Sequence, residues 1–184
     1  MVERPSVIGI SGLIGSGKDE VARVLIEEFG YTRIGFADAL KREVRTILPR
    51  TLAVLANLNY DGEPLSLEAR IDKAIQNKPL GVRELLQEWG TELRRAEDPD
   101  YWVKRWLEQV YGVQKVVAPD CRFPNEIEAV RRLGGQHWQV VRPGQASQDH
   151  ASEQSLDGTT SDLVIINDLS LTALRAAVRT IMQP

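Results

Sequence analysis

Seven positions, Gly12-Leu-Ile-Gly-Ser-Gly-Lys18, have the spacing of a phosphate-binding loop, G-x-x-x-x-G-K. Gly12, Gly15 and Gly17 carry no Cβ, so the backbone N–H groups of Gly12, Leu13, Ile14, Gly15, Ser16 and Gly17 are free to turn inward on a polyphosphate. A helix starting at Lys18 points the positive end of its dipole at the same place, and the lysine ammonium adds a mobile charge. The ligand this chemistry suits is a nucleoside triphosphate. Where such loops usually continue with a Ser or Thr hydroxyl for Mg²⁺, this chain has Asp19. A carboxylate beside a triphosphate needs a cation to offset it, so Asp19 is expected to face Mg²⁺ directly or through water. Taken alone, Asp19 would also suit the first turn of any helix.

A second acidic candidate, Asp120, closes the apolar run 115–119. P-loop proteins hold a metal-directed carboxylate at such a strand end, although Asp also simply ends strands and begins turns. The basic candidates are more scattered. Lys41, Arg42 and Arg45 share the polar side of a predicted helix, which is ordinarily only a solvated face. That helix follows the second predicted strand, where open α/β sheets bind ligands, and this singles out Lys41. Gln87, Arg94 and Arg95 lie off the apolar stripe of a later helix and are free for a ligand, whereas the tryptophans on these stripes read as core. His137 falls within a strand, packed or hydrogen-bonded; His150 alone reads as an exposed loop histidine.

The elements that must position these groups follow from periodicity. Val7–Ile10 reads as a buried strand, 18–29 as a helix stopped by Gly30, and 31–36 as a second strand. The helix 38–48 is expected to bury Leu40, Val44, Ile47 and Leu48 and to end at Pro49. From 50 to 79 the pattern weakens: an apolar run from Leu52 to Leu58, a turn, and a short helix with Leu67, Ile71, Ala74 and Ile75 read as an insertion too short to bury its own core. A helix from Gly81 carries Val82, Leu85, Leu86, Trp89 and Leu93; another after Asp98-Pro99 carries Trp102, Val103, Trp106, Leu107 and Val110. Strands at 115–119, 137–141 and 163–166 alternate with a helix from Pro124 burying Ile127, Val130 and Leu133 and a closing helix burying Leu171, Leu174, Val178 and Ile181. The polar stretch 145–160 reads as a mobile loop or lid.

With 184 residues, 42% hydrophobic and 27% charged, the chain fits one ordinary domain or one core plus a subdomain. Its formal charge of −3 argues against a generic nucleic-acid or membrane-surface binder. One cysteine, Cys121, excludes an internal disulfide framework and a cysteine zinc cluster, and no apolar leader or spanning segment stands out, so cytoplasm is expected.

Eight blocks in order, Gly-Ser-Gly-Lys-Asp at 15–19, Phe-Ala-Asp-Ala-Leu-Lys at 36–41, Leu-Gln-Glu-Trp-Gly-Thr-Glu at 86–92 with Arg95, Asp-Tyr-Trp-Val at 100–103, Asp-Cys-Arg-Phe-Pro-Asn-Glu at 120–126, Gly-Gly at 134–135, Val-Arg-Pro-Gly at 141–144 and His-Ala-Ser-Glu at 150–153, resemble the phage-type deoxynucleoside monophosphate kinases. The resemblance covers most of the chain outside 50–80, and the Lys-Asp ending of the loop agrees with it. It implies transfer of the ATP γ-phosphoryl group, with Mg²⁺, to a 5′-monophosphate for DNA precursor synthesis, in the host cytoplasm if the chain is phage-encoded. It also implies roles. Lys18, Arg95, Arg122 and Arg142 become the transfer cations, which fits a reaction that is mostly positioning and charge neutralisation. Asp38, Lys41, Gln87, Trp89, Arg95, Arg122, Asn125, Glu126, His150 and Glu153 become acceptor-binding, with Asp19 and Asp120 at the metal.

The expected architecture is a single α/β P-loop domain: a five-stranded parallel sheet, order 2-3-1-4-5, flanked by helices, with an acceptor-binding subdomain at about 37–114 and a lid-like loop at about 142–160. The expected partners are small molecules, with no nucleic acid and no membrane, and the apolar run Leu52–Leu58 fits a homodimer surface. Two alternatives stay open on the residues alone. One is a P-loop kinase of another phosphorylated metabolite, of phosphomevalonate or dephospho-coenzyme A type; the other is a non-catalytic nucleotide-binding switch.

Overall fold

A computed structural model of the chain describes residues 4–58, 65–144 and 159–183. Five parallel strands, β1 (Val7–Ser11), β2 (Thr32–Arg33), β3 (Val116–Ala118), β4 (Gln136–Val141) and β5 (Leu163–Ile166), form one sheet in the order β2-β3-β1-β4-β5. β1 is central and entirely buried, as expected of a strand covered on both faces. The helices are α1 (Lys18–Phe29), α2 (Phe36–Ile47), α3 (Pro49–Leu58), α4 (Leu67–Asn77), α5 (Leu80–Gln87), a π-helical segment (Glu88–Arg95), α6 (Tyr101–Val110), α7 (Pro124–Arg132) and α8 (Leu171–Ile181).

The chain divides into two compact units, Met1–Phe36 with Val103–Pro184, and Ala37–Trp102. The first holds the sheet and two apolar clusters. On one, Ile8, Ile10 and Trp138 meet Val21, Leu25, Leu174 and Val178; on the other, Val116 and Ala118 meet Phe36, Trp106, Ile127 and Val130. The second unit has a core of its own, built from Val44, Leu52, Ala56, Ile71, Ala74, Ile75, Val82 and Leu86. Leu52, Ala56, Ile71, Ala74 and Ile75 are buried by pooling with Val44 of α2 and Val82 and Leu86 of α5.

Several expectations are corrected. The second strand does not reach residue 36. Ile34 still donates to Val117 O, but the Phe36 N–H turns to the Asp120 carboxylate, and Phe36 stacks on Trp106 with ring centroids 4.4 Å apart, so α2 begins there. Ile47, Leu133, Leu171 and Ile181 are exposed because they stand at helix ends, past the layer the helix packs on. Leu93 is exposed for another reason: the π-winding from Glu88 onward changes the residues per turn and carries it off the face set by Val82 and Leu86. The run Leu52–Leu58 lies in an amphipathic helix, α3, with Leu52 and Ala56 buried; of its apolar residues, Val54 and Leu58 stay largely exposed.

Candidate active site

β1 delivers the chain into the Gly12–Lys18 loop at the C-terminal edge of the sheet's centre. Gly12 has φ +146°, and a Cβ there would lie 2.6 Å from Ser16 Oγ and strike the Val140 carbonyl. Gly17 caps α1 in the left-handed region at φ +104°, where a Cβ would lie 2.7 Å from Asn167 Nδ2. Both positions therefore require glycine. The loop closes on itself through Ser16 N–H to Leu13 O at 3.1 Å, and Lys18 Nζ donates to the same carbonyl at 3.2 Å.

Two other elements reach this loop. Asn167, leaving β5, donates from Nδ2 to Ser16 O at 2.8 Å, and Arg142, leaving β4, donates from Nη1 to Gly15 O at 3.5 Å. Ser16 Oγ is fully buried and has no hydrogen-bond partner among the described residues. A buried hydroxyl with no such partner, in a loop that admits no Cβ at residues 12 and 17, fits the polyphosphate site expected from the G-x-x-x-x-G-K spacing. Asp19 is exposed in the first turn of α1, and the next residue, Glu20, is buried between Arg23 and Arg175.

Beneath the loop a buried polar pair ties β1 to β4. Ser11 Oγ lies 2.7 Å from His137 Nε2, while His137 Nδ1 faces Thr160 O at 3.5 Å. With the proton on Nδ1, both contacts are satisfied and Ser11 donates to Nε2. Burial pushes the His137 pKa below its ordinary value, opposed by the Thr160 carbonyl. The His137 backbone N–H donates to Asp162 at 2.7 Å, and Asp162 also takes Arg131 at 3.1 Å. Desolvation would raise the Asp162 pKa, but these bonds and the Arg131 charge together hold it below the usual carboxylate value.

At the end of β3, Asp120 is half-buried; its Oδ1 accepts from Phe36 N–H at 2.9 Å, and a Cβ at Gly35 would lie 2.7 Å from Oδ2. The following N–H, of Cys121, donates to Ile10 O at 3.1 Å, so the Asp120 turn is fastened to β1 as well as to the exit of β2. Cys121 itself is buried, and desolvation, with the Glu126 and Asp120 charges, pushes its thiol pKa well up. Arg122 and Asn125 are half-buried at the start of α7. Glu126 departs from its expected role: it is buried and accepts the N–H groups of Arg122 at 2.7 Å and Phe123 at 3.2 Å, so its carboxylate caps α7.

The second unit carries the remaining candidates. Lys41 Nζ lies 3.8 Å from Asp38 Oδ1, one turn apart on α2. Gln87 ends α5 and is half-buried, and Arg95 Nη1 donates to Pro99 O at 3.2 Å. Arg94 is not free as expected; its guanidinium is bound to Glu43, which also receives the Trp89 indole N–H. Sequence reasoning missed Glu43, Asn167 and Glu20. Only Asn167 had a signal, its place just after an apolar strand at the ligand-bearing edge. His150 and Glu153 lie outside the described residues, as does most of the segment expected to form a lid. Among the described residues, no group of three or more His, Cys, Asp or Glu side chains could hold a metal ion.

Comparison with known proteins adds a family. The family model described as deoxynucleotide monophosphate kinase matches residues 53–178. A protein of Acanthamoeba polyphaga mimivirus, provisionally named a deoxynucleotide monophosphate kinase, is 30% identical over 181 residues, covering 90% of each chain. The deoxynucleotide monophosphate kinase of Enterobacteria phage T4 is 38% identical over 109 residues, 55% of this chain and 45% of its own. Among solved structures, the dephospho-CoA kinase from Campylobacter jejuni aligns over 96% of this chain and 95% of its own at 13% identity and a TM-score of 0.48, too distant to bear on substrate.

Proposed function

The chain belongs to the deoxynucleotide monophosphate kinase family, and from that premise we propose how its residues divide the work of phosphoryl transfer. The protein is a phosphotransferase: it uses ATP to phosphorylate nucleoside monophosphates, and its substrates are small molecules. ATP takes the Gly12–Lys18 loop. The observation that carries this reading is the loop itself, with glycine required at two positions and the Ser16 hydroxyl buried with no hydrogen-bond partner among the described residues.

Lys18 and Arg142, already bonded to carbonyls of the loop, exchange those bonds for phosphate oxygens and neutralise the charge that develops during transfer. Arg122, at the start of α7, and Arg95, at the end of the π-helical segment, are the further cations proposed for the reaction. The acceptor monophosphate binds through Lys41 and Arg95, with Asp38, Gln87, Trp89 and Asn125 shaping its site and His150 and Glu153 closing it. Asp19 and Asp120 are the residues that would hold Mg²⁺, which would neutralise phosphate charge when bound. Asp120 suits this because its carboxylate is held at the end of β3 by the Phe36 N–H.

Preference for the deoxyribose form and supply of DNA precursors are finer parts of the proposal, supported by the family's name, and a host-cytoplasmic location is a further part, supported by the viral relatives. Among the described residues, no helix is long and apolar enough to cross a membrane. The charge of −3 supports the absence of a nucleic-acid partner. A homodimer retains as support only Val54 and Leu58 of α3.

Titration with a fluorescent ATP analogue tests the cradle. Gly12→Ala is expected to weaken binding at least tenfold with the fold intact by circular dichroism, since its Cβ has no room. Unchanged affinity in that variant would remove ATP from this loop.

A further inference from the structure

The second unit contains a polar hub that the phosphoryl-transfer chemistry does not explain. Glu43 lies on α2 with its side chain mostly buried, and it accepts three hydrogen bonds from three directions. Trp89 Nε1 donates to Oε1 at 3.0 Å, Arg94 Nε to the same oxygen at 2.7 Å, and Tyr101 O–H to Oε2 at 2.6 Å. The Arg94 guanidinium carbon also lies 5.3 Å from the centre of the Trp89 ring and 5.1 Å from that of Tyr101, so the cation is held by both rings as well as by the carboxylate. Burial alone would push the Glu43 pKa up, but the bonds from Tyr101, Trp89 and Arg94 together hold it below the ordinary carboxylate value.

Two of the three donors belong to the π-helical segment Glu88–Arg95. That winding is rare and appears mostly as single turns inside α-helices, frequently at functional sites; here it runs for eight residues. The same segment is fixed at a second point. Trp102 Nε1 donates to the Gly90 carbonyl at 2.9 Å in the interior, and Gly90 packs so closely on α2 that a Cβ would lie 2.9 Å from Leu40 Cδ2. Glu43 thus clamps the segment to α2 and to the start of α6. Arg95 follows Arg94 directly, and Lys41 precedes Glu43 by two residues.

We propose that Glu43 is a positioning residue for the acceptor nucleotide: by joining α2 to the π-helical segment it holds Lys41 and Arg95, one on each, at a fixed separation. This rests on the reading that Lys41 and Arg95 bind the acceptor phosphate. Glu43 touches no substrate; it acts through the residues beside its partners.

The experiment is steady-state kinetics on the full chain with dGMP, dCMP, dAMP or dTMP, whichever turns over best, giving kcat and separate KM values for the monophosphate and for ATP, alongside thermal midpoints. Glu43→Ala is expected to raise the monophosphate KM by about 10- to 100-fold, while the ATP KM moves less than about twofold. Glu43→Gln, which keeps an acceptor oxygen, is expected to recover part of the loss. Tyr101→Phe, which removes the bond to Oε2 and keeps the ring, serves should Glu43→Ala fail to fold, and is expected to raise the same KM by a smaller factor. In Glu43→Ala with Arg95→Ala the combined effect is expected to fall short of the product of the two. Parallel changes in both KM values, or a lowered midpoint with neither KM changed, would overturn the positioning role. Lys41→Ala and Arg95→Ala separate the two failures. If these leave the monophosphate KM unchanged, the acceptor reading itself is wrong; if they raise it while the Glu43 variants do not, only the positioning role falls.

Discussion

Asn167 shows how one side chain can set the shape of a backbone cradle. Its amide donates to the Ser16 carbonyl while its edge packs on the bare Cα of Gly17, so it holds the two residues that enter α1. Asn167→Ala is expected to raise the ATP KM by about tenfold, the effect of about 1–2 kcal/mol from a lost, half-buried hydrogen bond. Asn167→Asp is expected to be worse, because it turns a carboxylate oxygen toward the Ser16 carbonyl. ATP kinetics on the pair check this: equal values for the two variants would mean that the donor hydrogen is not what matters. Lys18 acts at the same loop in a different way. Its bond to Leu13 O is one that a phosphate can replace, so Lys18→Ala is expected to lower kcat by about 100- to 1,000-fold with secondary structure unchanged by circular dichroism.

Among the elements, β1 and β4 are joined by more than their ladder, since Ser11 and His137 face each other inside the sheet. The His137 pKa is lowered in the folded protein, so above the unfolded value of about 6.5 both states are neutral and pH has no effect through this group. As pH falls below that value the unfolded chain gains a proton that the folded chain resists, and stability declines until the folded pKa is passed. Urea midpoints at pH 7.5 and 5.5 are expected to show this loss, and His137→Gln to reduce it; equal loss in the variant would assign it elsewhere. Trp106 anchors another element, donating from Nε1 to Ile34 O at 2.8 Å where β2 gives way to α2. Trp106→Phe is expected to cost about 1–3 kcal/mol by orphaning that carbonyl, read as a lower urea midpoint at unchanged m. The elements that were legible in the residues are those whose cause is local. β1, α1 and its Gly30 stop, β5 and α8 follow from periodicity and a left-handed cap, since Gly30 sits at φ +72°. What escaped had a distant cause. The shortness of β2 is set by Asp120, 84 residues on from Phe36, and the π-winding after α5 comes with contacts from Glu43 and Trp102 that no periodicity within 88–95 encodes.

At the scale of the molecule, the strand order and the loop at the end of the central strand were legible because a parallel sheet with a buried β1 allows few arrangements. The acceptor side was less legible, since Arg94 and Arg95 look alike in sequence and only their partners separate them: Arg94 is bound to Glu43, whereas Arg95 meets the Pro99 carbonyl. Lys18, Arg122 and Arg142 belong to one compact unit, and Lys41 and Arg95 to the other. At this scale the central claim is that the chain transfers a phosphoryl group from ATP to a nucleoside monophosphate, a reaction that is mostly positioning and charge neutralisation. The most direct test of that account is steady-state ADP release with ATP and Mg²⁺ against dAMP, dGMP, dCMP, dTMP and their ribonucleotides, with Lys18→Ala as control. The account predicts turnover of at least one deoxynucleotide, faster than its ribonucleotide counterpart and lost in the control. Intact ATP binding with no turnover of any monophosphate would contradict it.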